Sequence, residues 1–246
     1  MNDYVIANSD YTQSYQRRVN RVPQKRIETI HCFTDLSRFT EVTPRDVRIV
    51  RRQLRLKGGE FLAGIVGEVV QRKGHLYLFK ALSEIVKHVP NFKLVMLGRF
   101  HQDEAYVKRL RGIIKREKLF CRVKWLGLRS NIQDFMSAFD LLIVPSVEEP
   151  LGLVALEAHA AGTPVVAAQT GGLPEIVHHE ENGLLFESRN PHQLAQAVIR
   201  MAGDEEMRQR MGETGKAQVN QRFAPGVLTD QVVEVYNRML LKRSAA

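Results

Sequence analysis

From residue 61 onward, short β-branched or aliphatic runs alternate with longer amphipathic stretches, and this alternation constrains the fold more than any single residue does. The runs at 61–66, 94–97, 141–144 and 165–168 are apolar at successive positions rather than at every second one, and the runs at 93–97, 122–126 and 164–168 are read as strands of the same set. Strands buried on both faces of a parallel sheet have that pattern. Between them, 75–87, 103–116, 132–139 and 153–161 have helical spacing. Repeated βα units predict an α/β fold, a doubly wound parallel sheet with helices on both faces. A last short strand at 183–186 precedes three helices, near 191–201, 205–221 and 228–241. Asn190 and Pro191 supply the cap and first turn of the first of these.

The first sixty residues differ. They predict strands at 4–7 and 27–31 and a helix at 11–19, then Thr43-Pro44 opening a helix through Leu54 that Lys57-Gly58-Gly59 ends. Two strands and one helix cannot cover both faces of a sheet, so this piece reads as the end of something larger. In a chain of 246 residues, Lys and Arg outnumber Asp and Glu by 36 to 27, giving +9. That excess favours anionic partners such as phosphate esters or acidic headgroups. Two cysteines, Cys32 and Cys121, exclude a disulfide scaffold and point to a reducing compartment, hence a cytoplasmic location. The longest apolar runs fall far short of the ~20 residues that a membrane span needs.

The densest stretch runs from Pro145 to Ala158, Pro-Ser-Val-Glu-Glu-Pro-Leu-Gly-Leu-Val-Ala-Leu-Glu-Ala. It places a strand end, an acidic loop and a helix start in immediate succession, where open α/β sheets bind ligands. The amides of Leu151, Gly152 and Leu153 suit phosphate or hydroxyl oxygens, and Gly152 lets a ligand approach the backbone. Glu157 lies in apolar company on the following helix, where a carboxylate needs hydrogen-bond donors. Sugar or ribose hydroxyls are one source. The plainer alternative is a solvated Glu149 and a Glu157 paired with Arg or Lys. A second loop, from Gly67 through Arg72 and Lys73 to Gly74, can hold a diphosphate by charge and by helix-start amides. It is neither a P-loop nor a GxGxxG turn.

Gly98-Arg99, Gly127, Gly162-Thr163-Pro164 and Gly171-Gly172-Leu173-Pro174-Glu175 punctuate other strand ends. His75, His101, His159, His178 and His179 show no metal-binding pattern. Neither a Ser/His/Asp nor a Cys/His triad can be proposed. Arg51, Arg52, Lys108, Arg109 and Lys115 lie on helix faces without interleaved aromatics, so nucleic acid is not an expected partner.

Together these stretches resemble the C-terminal half of the family 4 (group 1) retaining glycosyltransferases, which have the two-domain GT-B fold. The likeness rests on Gly67 with Lys73-Gly74, Pro145-Ser146, the Glu149-x7-Glu157 signature, 162–166, 171–177 and Asn182-Gly183-Leu184-Leu185, in order across nearly all of 60–240. It implies a Rossmann-like domain at 60–227 that binds a nucleotide-diphosphate sugar. Residues 1–59 would be a remnant of an N-terminal domain with its linker, and 228–246 a C-terminal helix packing back towards that domain.

The resemblance also assigns roles. Glu157 would accept the ribose hydroxyls, Glu149 would contact the transferred sugar, and the amides of Leu151 to Leu153 would hold sugar hydroxyls or phosphate. Lys73 would neutralise the departing diphosphate, with Gly67, Arg72 and Gly74 around it. The base would sit near Gly98-Arg99 and between Val123 and Gly127. The reaction would retain anomeric configuration and need no cofactor or metal. The acceptor, a glycolipid or a saccharide, is not specified, and peripheral contact with the inner membrane surface is compatible with the basic helices. Two departures stand out. Glu68 occupies the position of the family's usual Arg, where a carboxylate opposes a diphosphate, and only Asp35 remains of the family's linker motif in 31–35. Without an acceptor domain the chain is expected to bind donor but transfer sugar poorly. The alternative is a non-catalytic module with a degenerate donor site.

Overall fold

A computed structural model describes residues 4–32, 35–100 and 104–244, with side chains described as far as residue 241. Phe33, Thr34, His101 and the expected helix start at Asp103 lie outside the described residues. Among the described residues there are eight strands: β1 (Val5–Ala7), β2 (Ile27–Thr29), β3 (Phe61–Val66), β4 (Phe92–Leu97), β5 (Val123–Gly127), β6 (Leu141–Val144), β7 (Val165–Ala168) and β8 (Gly183–Phe186). β3 to β8 form one parallel sheet in the order β5-β4-β3-β6-β7-β8. The chain winds outward from β3 through β4 to β5, then returns to pair β6 with β3 and winds the other way. The strand order reverses between β3 and β6, and the crevice at that switch point is where such sheets take ligands.

Successive strand residues feed two different cores. Phe61, Ala63, Ile65, Leu94, Met96, Leu141 and Ile143 pack on one face with α4 (His75–His88), α5 (Glu104–Arg116) and α8 (Pro191–Gly203). Leu62, Val95, Leu97, Leu142 and Val144 pack on the other with α3 (Pro44–Gln53), α6 (Ile132–Ala138) and α7 (Leu153–Ala160). Continuous apolar runs therefore became strands because both of their faces are covered.

β1 and β2 make a separate two-stranded parallel sheet beside α1 (Asp10–Arg18), a helix with no buried residue. A short helix, α2 (Ser37–Thr40), lies in the linker and has no counterpart in the sequence reading. α9 (Glu205–Arg222) packs on α7, and Gly215 lies against the His159 ring there. The last helix, α10 (Pro225–Ser244), begins three residues before the expected Leu228. Pro225 accounts for the earlier start, because proline is pre-set for a first helical position, where its missing N–H costs nothing. Arg238 of α10 pairs with Glu28 of β2, which also accepts from the Tyr4 hydroxyl. Among the described residues no helix is long and apolar enough to cross a membrane.

Candidate functional site

Two loops meet at the switch point. The first leaves β3 through Gly67 and turns at residues 71–73 into α4; the second leaves β6 through Pro145 and Ser146 and reaches α7 at Leu153. Backbone bonds join them, since the Val147 N–H donates to the Arg72 carbonyl at 2.7 Å. Gly74 makes the approach possible. Its φ of +70° is left-handed, and a Cβ there would stand 1.7 Å from the Pro145 carbonyl oxygen. Any other residue would push the loops apart.

That approach brings Lys73 to Glu149. The ammonium Nζ lies 2.6 Å from Glu149 Oε2, which also accepts from Ser146 Oγ at 3.0 Å. Glu149 is 7% exposed, so the plain reading of a solvated loop acid does not hold. Its backbone is held as well. The Gly172 N–H donates to the Glu149 carbonyl at 2.9 Å, and a Cβ on Gly171 would stand 1.8 Å from that same oxygen. Two glycines of the 171–175 turn thus support the acid from beneath.

Glu157 sits in the second turn of α7, directed by a helix whose Ala155, Leu156, Ala158 and Ala160 are core residues. It makes no ion pair or side-chain hydrogen bond among the described residues. Burial pushes its carboxyl above the usual range, and the positive charge of Arg38 partly opposes that. The plainer alternative, a Glu157 paired with Arg or Lys, therefore does not hold among the described residues, and its acceptor capacity is unfilled there. Gly152 caps α7 with φ +106°, Leu151 is buried beside it, and Leu153 is exposed at the helix start.

The adjoining strand ends are stitched together: Gly67 N–H donates to the Leu97 carbonyl, Gly98 N–H to Gly127, and Val69 N–H to Arg99. Gly67, Arg72, Gly74, Arg99 and Gly127 therefore line one edge with Lys73 and Glu149, with Arg72 and Arg99 exposed. Val123 corrects the sequence reading. It is the first residue of β5, is buried and pairs with Leu94. Some four residues at ~3.3 Å each separate it from Gly127, so it faces the core at the far end of its strand. Glu68 is exposed and makes no ion pair among the described residues. Among them, too, no group of three His, Cys, Asp or Glu side chains could hold a metal.

An open cleft of about 650 Å³ borders Glu149, with Arg72, Glu148 and Pro150 on one wall and Asn8, Tyr11 and Tyr15 on the other. The N-terminal segment is fastened to this site. Ser9 Oγ donates to the Pro150 carbonyl at 2.6 Å, and the Glu175 carboxylate accepts the Asp10 and Tyr11 N–H groups, each at 2.9 Å, and meets His31 Nε2 at 3.0 Å. Sequence reasoning singled out 171–175 for its glycines but gave Glu175 no part. Its partners lie more than 140 positions away, beyond the reach of local spacing.

Residues 46–218 match the family model described as glycosyl transferases, group 1. The D-inositol 3-phosphate glycosyltransferase of Corynebacterium glutamicum is 31% identical over 216 residues, covering 86% of this chain and 51% of the relative. The crystal structure of Anabaena HepE in complex with UDP and glucose superposes with a TM-score of 0.89 at 30% identity, covering 96% of this chain and 63% of that one. A crystal structure of the C-terminal domain of a group 1 family glycosyl transferase from Francisella tularensis covers 77% of this chain and 98% of its own, with TM-score 0.69 and 26% identity. The chain spans about half the length of the curated relatives it matches.

Proposed function

The chain belongs to the group 1 glycosyl transferases, with their GT-B Rossmann-like fold, and we propose that it is the donor half of one. It binds a nucleoside diphosphate sugar at the switch point for transfer of a hexose, with retention, to an acceptor held partly by residues outside this chain. The observation that carries this reading is the Lys73–Glu149 pair, which places one cation and one buried carboxylate at the mouth of the crevice.

On this reading the diphosphate takes up Lys73, whose ammonium neutralises charge that grows on the leaving group as the glycosidic bond breaks. Arg72 adds a second cation, and the amides around Gly74 and from Leu151 to Leu153 supply oriented N–H donors. Glu149, freed of part of its ion pair, accepts from the sugar's hydroxyls. Glu157 accepts from the ribose, and those hydroxyls fill its open acceptor capacity. The base lies against Arg99 and the Gly98 and Gly127 strand ends. No metal enters the reaction. HepE was crystallised with UDP and with UDP-glucose, which makes uridine the first base to test here.

Titration calorimetry of the chain with UDP, GDP and ADP and their glucose conjugates tests the proposal. Binding of one of them, weakened at least tenfold by Glu157→Ala, is expected; no binding by any, or unchanged affinity in the variant, overturns it. A second reading is a degenerate site, favoured by Glu68, whose carboxylate adds repulsion of up to a few kcal/mol to any diphosphate close by. Glu68→Arg separates the two. A clear gain in affinity supports degeneracy, and unchanged affinity supports a working site that Arg72 and Lys73 suffice to charge.

A further inference from the structure

β5 is an edge strand of the sheet, and apolar side chains stand out along that edge. Phe120, just before the strand, is 65% exposed, and Leu128, just after it, is 61% exposed. Between them Trp125 stacks on Phe100 with ring centroids 5.3 Å apart, while its edge contact with Phe79 anchors it to the core. Neither ring is needed to hold the diphosphate or the sugar, although both lie close to the strand ends proposed to meet the base.

A row of cations borders this apolar line. Lys108, Arg111 and Lys115 recur at i, i+3 and i+7, one face of α5, and the Arg111 guanidinium lies 5.8 Å from the centre of the Trp125 ring. Two clefts share Arg111: one of about 450 Å³ between α5, Glu104 included, and Phe100, and one of about 360 Å³ between α5 and Phe120, Val123 and Trp125. Among the described residues none of these three cations has an ion-pair partner; the one acidic residue in α5 is Glu104, at its first turn. Salt bridges elsewhere in the chain take up Arg51, Lys93 and Arg200.

We propose that the α5–β5 edge is a docking surface for an anionic lipid bilayer. Aromatic side chains sit well at the interfacial level of a membrane, and each Lys or Arg beside them is attracted to anionic headgroups within a Debye length. Two apolar anchors at opposite ends of the edge, flanked by a cation row, suit an extended flat surface. A peptide ligand would call for a closed pocket, and single-stranded nucleic acid for a succession of exposed rings, whereas Trp125 is half-buried under its neighbours. The inference does not depend on the nucleotide-binding proposal.

Co-sedimentation of the chain with vesicles of phosphatidylcholine, with and without phosphatidylglycerol, tests it. Binding is expected with the anionic vesicles alone, reversed by high salt. The charge reversal Lys108→Glu/Arg111→Glu/Lys115→Glu should weaken it at least about tenfold. Phe120→Ser should weaken it severalfold with an unchanged thermal midpoint, a second check if the triple variant folds poorly. Equal binding to both vesicle types, or full binding by the triple variant, overturns the proposal. So does tight binding of a single-stranded oligonucleotide by a chain that ignores the vesicles.

Discussion

Lys73 and Glu149 are 76 positions apart in sequence and 2.6 Å apart in space, with 18% and 8% of their side chains exposed. Removing one partner leaves the other charge in poorly solvated surroundings, an effect of about 1–3 kcal/mol. Lys73→Met and Glu149→Gln should each lower the urea midpoint accordingly. The double variant should lose less than the sum, since the second change removes the stranded charge. A double-mutant cycle from chemical denaturation reads the coupling. Additive losses would mean that the pair is not formed in solution.

Gly74 is where the two loops touch. Gly74→Ala combines a left-handed φ with a Cβ 1.7 Å from a carbonyl oxygen, so a loss of at least about 2 kcal/mol is expected. Gly112, exposed in α5 with nothing within 4 Å of an added Cβ, provides the contrast: Gly112→Ala should stabilise by about 0.5–1 kcal/mol. Thermal melts of the two variants should move in opposite directions.

Glu157 carries a carboxyl held above its unfolded value by burial. Its ionised form is the less favoured one in the fold, so the cost is present at neutral pH and fades as pH falls through the folded value. Glu157→Gln should raise the melting temperature at pH 7, with the advantage lost in acid. Melting curves across that range check the sign, and a nucleotide that binds there should reverse it by favouring the parent.

His159 and His75 have the opposite linkage. Burial lowers them to about 3 and about 4, below the ordinary 6.5. Each stays neutral in the fold and takes up a proton on unfolding, so stability should fall as pH drops from 6.5 towards 4. Among the described residues, neither ring nitrogen of His159 has a hydrogen-bond partner. His159→Leu should flatten this pH dependence, measured as the urea midpoint at pH 7 and pH 5.

Glu175 should act locally. Glu175→Ala removes the acceptor for two N–H groups of α1 and the partner of His31, while the main sheet is untouched. Hydrogen exchange at residues 9–18 should quicken, with the global melting temperature shifted by little. Unchanged exchange there would show that Ser9 and Pro150 alone hold the segment.

The order of strands and helices, and the family, were legible in the sequence because both follow from local pattern. A strand buried on two faces must be apolar throughout, and α7 starts where Gly152 permits a left-handed turn. α2 escaped notice because four residues carry no period, and Val123 was misplaced because the strand was taken whole, from Val123 to Gly127, although only one of its ends can face the crevice. Which end meets the ligand depends on the direction in which the strand enters the sheet. Local pattern was enough for the six βα-type strands, the two loops and their chemical inventory. It did not show that Lys73 is the counter-ion of Glu149, that Glu157 has none among the described residues, or that Glu175 fastens α1. Charges find their partners through the sheet's crossovers, and those distances are set by packing across the whole chain.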